Sequence, residues 1–141
     1  MNQDVCVHED RYNFKEGEFT IYVDERQKTI VAVLTNPKSR LRKDIKHITN
    51  AARDKNLVLG AYIDKLAVFN DSFRGKAKCH PDDVFDITTG KRIAKRRCMR
   101  SYHKHVLKLL LAYEESLEYV SEEIRKKIIY LDAIIDKSET R

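Results

Sequence analysis

From Glu18 to Val23 the chain alternates, with Phe19, Ile21 and Val23 on one side and Thr20 and Tyr22 on the other. β-Branched and aromatic residues at period two predict a strand buried on one face. Asp24 to Lys28 is a polar turn and Thr29 to Leu34 a second β-rich run, so the two predict a hairpin. Phe73, Gly75, Ala77 and Cys79 then alternate with Arg74, Lys76, Lys78 and His80. That predicts another strand, with small residues on one face and cations on the other. A face of Gly and Ala lets a second backbone or a ligand come close. Residues 1–17 mix charges and aromatics without a clear period. Residues 57–69 read equally as one buried strand, two short strands around Gly60, or a short helix.

Asn36-Pro37 fits a helix start, and Leu41, Ile45, Ile48 and Ala52 follow at steps of four, three and four. One helix docking by a narrow stripe is expected there. Asp86, Thr88 or Thr89 supplies a cap for the next helix, and no Pro or Gly follows Gly90. The rest, to about Lys137, reads as one long helix or as a pair bending near Glu114 to Ser116. Leu110, Tyr113, Leu117, Val120 and Ile124 form a helix–helix seam, which Ile128, Leu131 and Ile135 continue after a small shift. The seam is expected to form part of a subunit interface, the alternative being closure within one subunit.

These elements predict an α+β fold, with an N-terminal antiparallel β-sheet and a packed helix followed by a long C-terminal helix or helical hairpin. The 141 residues suit a single domain, with a β-rich half over 1–86 and a helical half over 87–141. Nothing reads as a signal peptide or as a span of eighteen apolar residues, so no membrane association is expected. Cys6, Cys79 and Cys98 cannot all pair, which suits reduced thiols and a cytoplasmic setting.

The net charge of +6 is concentrated. Lys91 to Lys108 holds eight Lys or Arg and no acid; Lys38 to Lys55 holds seven against Asp44 and Asp54. On a helix at 100° per residue, Arg96, Arg97, Arg100, Lys104 and Lys108 share about a third of the circumference, opposite Cys98, Met99, Tyr102 and Val106. Guanidinium groups give paired hydrogen bonds to phosphate oxygens, and a merely solvated face would intersperse acids for i,i+4 pairing. The cluster therefore points to a phosphate-bearing ligand.

Asp82, Asp83 and Asp86 can accept from ribose hydroxyls or base amines, and Phe69, Phe73 and Phe85 can stack on a base. In the commoner arrangement these Asp are turn and cap residues and these Phe are core. Catalytic signatures are weak. Gly90-Lys91 lacks the remainder of a P-loop, and neither His103-Lys104-His105 nor Cys79-His80 has zinc-ligand spacing. No metal, cofactor or catalytic residue is expected.

The stretch Gly75-Lys76-Ala77-Lys78-Cys79-His80-Pro81-Asp82-Asp83-Val84-Phe85-Asp86, followed by Gly90-Lys91-Arg92-Ile93-Ala94 and Arg96-Arg97, resembles a phrase of small phage proteins of Firmicutes. The combined pattern, over residues 73–97, is similar to the Thoeris anti-defence family, type one. That resemblance implies a non-catalytic sponge that sequesters a cyclic ADP-ribose isomer such as glycocyclic ADP-ribose, and in some members cyclic oligonucleotides, blocking anti-phage immunity in the host cell cytoplasm. It implies a homo-oligomer, dimeric or higher. It also makes Phe69 the base-stacking residue and Arg96 or Arg97 the pyrophosphate clamp, with Asp83 near a ribose. Arg74, Arg92 and Arg100 complete the expected ligand-binding set. The alternative from the residues alone is a basic nucleic-acid-binding regulator of phage or host origin, its arginine face tracking phosphates.

Overall fold

The computed structural model describes residues 10–54 and 72–139, so Phe69 and the ambiguous stretch 57–69 lie outside the described residues. The fold is α+β. Four antiparallel strands, β1 (Arg11–Glu16), β2 (Phe19–Asp24), β3 (Thr29–Leu34) and β4 (Arg74–Lys78), form a sheet in the order β1-β2-β3-β4. Two short helices, α1 (Pro37–Asp44) and α2 (Lys46–Asp54), follow β3, and α3 (Ile87–Glu139) follows β4. The chain divides into two compact units, Met1–Val106 and Leu107–Arg141.

The hairpin and β4 form where the alternation places them. Strand β1 falls in the stretch that showed no clear period; its Tyr12, Phe14 and Glu16 do alternate, but over too few residues to stand out among charges. Gly17 closes the β1–β2 turn at φ +59, a left-handed conformation that glycine adopts without a Cβ clash. The β2–β3 turn is held by Asp24 Oδ1, which accepts from Gln27 N at 3.0 Å, and it places Lys28 at φ 50.

The helix expected from Lys38 onward is instead two helices. Asn36 caps α1, accepting from Ser39 N at 3.2 Å, with Pro37 in its first turn. Ile45 leaves helical geometry at φ −105, ψ 12, and its N–H turns back to Leu41 and Lys43 carbonyls. The apolar stripe persists across this break, since Leu41, Ile45 and Ala52 are all buried. Burial of the stripe, not helical continuity, is what the spacing specified.

One face of the sheet is the core. Ile21, Val23, Ile30, Ala32, Leu34, Phe73 and Ala77 meet Ala94, Cys98 and Tyr102 from α3. Each fully buried large side chain stabilises this packing by roughly 1.5–3 kcal/mol. Gly75 sits against the backbone of α3 at Ala94 and Cys98, and Gly90 against the side chain of Ile30. The small face of β4 therefore receives a helix, not a ligand. Phe73 is core as well, edge-on to Tyr102 at 5.5 Å between ring centroids.

A polar network fastens α1 to this core. Tyr102 donates to Asp44 Oδ2 at 2.8 Å, and Arg40 donates to the same carboxylate at 2.9 Å while pairing with Glu18 in the β1–β2 turn. Burial opposes the charge on Asp44, but hydrogen bonds from Arg40 and Tyr102 and the Arg40 charge outweigh it and hold the carboxyl below its usual range.

Candidate anion-binding surface

Because side chains alternate along a strand, the residues that do not enter the core face outward together. The register places them in three rows across the sheet: Arg11–Asp24–Thr29–Lys78, Asn13–Tyr22–Val31–Lys76 and Lys15–Thr20–Val33–Arg74. Cations occupy both edge strands, β1 and β4. Tyr22, 47% exposed, and two valines occupy the centre. A shallow groove of about 840 Å³ runs over this face, lined by Arg11, Asn13, Tyr22, Val31, Arg74 and Lys76 among others. Arg11 is paired with Asp24 at 3.2 Å. Among the described residues no carboxylate lies within ion-pair reach of Lys15, Arg74, Lys76 or Lys78.

The basic stretch of α3 is split three ways by the same helical geometry. On the flank toward β1, Lys95 and Lys91 reach Glu16 at 3.0 and 3.4 Å and lie over the rings of Phe19 and Phe14. The acid missing from i,i+4 positions is thus supplied by the sheet, and the hydrogen bond from Lys95, with the remaining Lys95 and Lys91 contributions, holds the Glu16 carboxyl low against desolvation. On the opposite flank, Arg97 donates from Nη1 to the carbonyl of Lys76 at 2.6 Å, satisfying a backbone acceptor on the free edge of β4. Arg92, Arg96, Arg100 and Lys104, at steps of four, stay exposed on the outward face. At 100° per residue Arg96 and Arg100 lie about 160° from the buried Cys98, while Arg97 lies about 100° round. Arg96 and Arg97 therefore point to different surroundings. The groove over the sheet is not lined by Arg92, Arg96, Arg97 or Arg100.

The Cys–His–Pro–Asp–Asp–Val–Phe–Asp turn forms a separate cavity of about 390 Å³, lined by Lys78, Cys79, His80, Asp83, Phe85, Asp86 and Ile93 among others. Lys28 holds this turn, its Nζ donating to the carbonyls of Pro81 at 3.1 Å and Asp83 at 2.9 Å. Asp86 caps α3, accepting from Thr88 N at 3.0 Å and Thr89 Oγ1 at 2.7 Å, and these bonds, Thr89's first, lower its carboxyl pKa. Asp86 is therefore committed to the helix start, whereas the carboxylate of Asp83 is exposed at the rim.

The structure thus brings Arg74 to the outer sheet face, Asp83 to the turn cavity and Arg92, Arg96 and Arg100 to the helix surface, and gives Arg97 to the β4 edge. Lys76, Tyr22 and Lys15 belong with Arg74, a grouping that required the register of β1 and β4 around the hairpin. Buried Cys98 donates to the Phe73 carbonyl at 3.2 Å, and burial pushes its thiol pKa up, which makes it unreactive. Among the described residues no group of three or more His, Cys, Asp or Glu gathers as a metal site, and no helix is long and apolar enough to cross a membrane. No protein family, curated protein or solved structure matches the chain.

Proposed function

We propose that the protein is a non-catalytic binding module for phosphate-bearing polyanions, and that single-stranded nucleic acid lies across the outer face of its sheet. The observation that carries this reading is the arrangement of Tyr22 and Val31 beside Arg74 and Lys76, which have no acidic partner among the described residues, over an open groove that Arg11 borders on the β1 side. Bases stack on an aromatic platform while the backbone follows the positive rims, a combination that suits strands without strict sequence preference. The exposed arginines of α3 add long-range attraction.

A second reading is favoured by the turn cavity. A volume near 390 Å³ is of the size that holds a small ligand. Its lining joins Lys78 with the ring of Phe85 and the carboxylate of Asp83. In this reading the protein sequesters a cyclic nucleotide signal such as a cyclic ADP-ribose isomer in the cytoplasm of a host cell, as a homo-oligomer.

Fluorescence anisotropy with labelled single-stranded DNA and RNA, in competition with a cyclic dinucleotide and with cyclic ADP-ribose, separates the two. The first reading expects single-strand binding that weakens with a log–log salt slope of about −3 if Lys15, Arg74, Lys76 and Lys78 each meet a phosphate. Tight, nearly salt-independent binding of a cyclic nucleotide, without single-strand binding, overturns it in favour of the second.

A further inference from the structure

The C-terminal unit, Leu107–Arg141, carries a long apolar stripe that the described structure does not cover. Leu117, Val120, Ile124, Ile128, Leu131 and Ile135 are each 45–55% exposed on a continuous helix. Single exposed hydrophobics are ordinary on protein surfaces; a regular row of them along one helix is not. With Leu110 and Tyr113, the row advances by 3, 4, 3, 4, 4, 3 and 4 residues. The two consecutive steps of four mark a stutter, where a left-handed supercoil locally unwinds.

We infer that this stripe pairs with the same stripe of a second copy, running antiparallel. Two properties of the segment select that occupant. The first is spacing. Laid antiparallel about a point near Glu122, the row meets its copy to within one residue, Leu110 level with Ile135, Tyr113 with Leu131, Leu117 with Ile128 and Val120 with Ile124. Each layer then joins a larger or γ-branched residue to a β-branched or smaller one, instead of stacking Tyr113 on itself.

The second is charge. Glu114, Glu115, Glu118, Glu122 and Glu123 form a block without a base, and Arg125, Lys126 and Lys127 follow without an acid. In a parallel pair each block lies level with its own copy. In the antiparallel register Lys126 and Lys127 lie level with Glu118 of the other chain, and only the glutamates nearest the centre remain level with one another. Charges beside a helix seam set orientation in this way.

The available area is sufficient. Thirty-three residues of helix make a stripe roughly 50 Å long on a cylinder about 10 Å across; covering a third of its girth buries on the order of 500 Å² per copy. The pair then buries about 1,000 Å², which is the size at which specific association begins. This inference concerns the C-terminal unit alone and is independent of what the sheet face binds.

The test uses the full chain with Cys6→Ser and Cys79→Ser, leaving the buried Cys98. Sedimentation velocity is expected to report a dimer, and a monomer at micromolar concentration would overturn the inference. Leu117→Cys and Ile128→Cys are then introduced in separate chains. Under mild oxidation the mixture is expected to give a covalent dimer containing one of each, identified by intact mass, while neither variant cross-links alone. Self-cross-linking of Leu117→Cys in place of the mixed product would establish a parallel pair and refute the proposed orientation. Should either cysteine variant prove monomeric, Val120→Cys mixed with Ile124→Cys probes the adjacent central layer, and self-cross-linking there refutes it equally.

Discussion

A Cβ added to Gly75 would stand 2.1 Å from the carbonyl oxygen of Ala94, so strand β4 and helix α3 touch backbone to backbone at that point. This close approach sets the two faces of β4: Gly75 and Ala77 against the helix, and Arg74, Lys76 and Lys78 outward. Gly75→Ala must move either the strand or the helix, because the obstructing atoms are main-chain. It is expected to cost about 1–3 kcal/mol or more, read by urea denaturation. Unchanged stability would mean that strand and helix are not packed this closely.

Charge reversal separates the two cationic surfaces. Arg74→Glu with Lys76→Glu removes both β4 rim cations of the groove, while Arg96→Glu with Arg100→Glu alters only the helix surface. Single-strand affinity is expected to fall roughly tenfold or more in the first variant, with a shallower salt slope, and less in the second. Circular dichroism checks that both remain folded. Equal losses would place the strand on the helix.

Tyr22 is the only aromatic residue pointing out from the central strands β2 and β3. If bases stack there, Tyr22→Ala lowers single-strand affinity by about 1–3 kcal/mol while Tyr22→Phe retains it, since stacking uses the ring and not the hydroxyl. Retention of full affinity in the alanine variant would remove the stacking platform from the mechanism.

Stability should fall in acid. Asp44 and Glu16 both titrate below their usual values in the folded chain. A carboxylate with a lowered folded pKa contributes stability above its unfolded value and loses that contribution as pH drops through the folded value. The unfolding free energy is thus expected to hold above about pH 5 and decline below about pH 4. Asp44→Asn should flatten part of this decline, as measured by urea midpoints across the range.

Tyr102 acts with the opposite sign. Burial first, then the Asp44 carboxylate, push its hydroxyl pKa up, so its contribution is complete below about pH 10 and declines above it. Tyr102→Phe should cost about 0.5–1.5 kcal/mol at neutral pH by removing the bond to Asp44. It should also abolish the tyrosine's share of the alkaline loss.

The sequence by itself determined the elements whose physics is local. Period-two alternation located β2 and β4 and divided each into two faces, and a β-rich run located β3. Asn36-Pro37 and Asp86 marked two helix starts, and the absence of Pro and Gly after Gly90 allowed helix to about Lys137, leaving open whether it was one rod or a bent pair, which the structure resolves as the single helix Ile87–Glu139. It also showed where positive charge collects. What it left undetermined depended on contacts between distant residues. Glu16 neutralises Lys91 and Lys95 across 75 and 79 positions, and the Lys76 carbonyl engages Arg97, so an unbroken basic stretch became three different flanks. Only the sheet register set Lys15 and Tyr22 beside Arg74 and Lys76. Periodicity tells which way a side chain points along its own element, whereas the tertiary structure alone decides what stands opposite it.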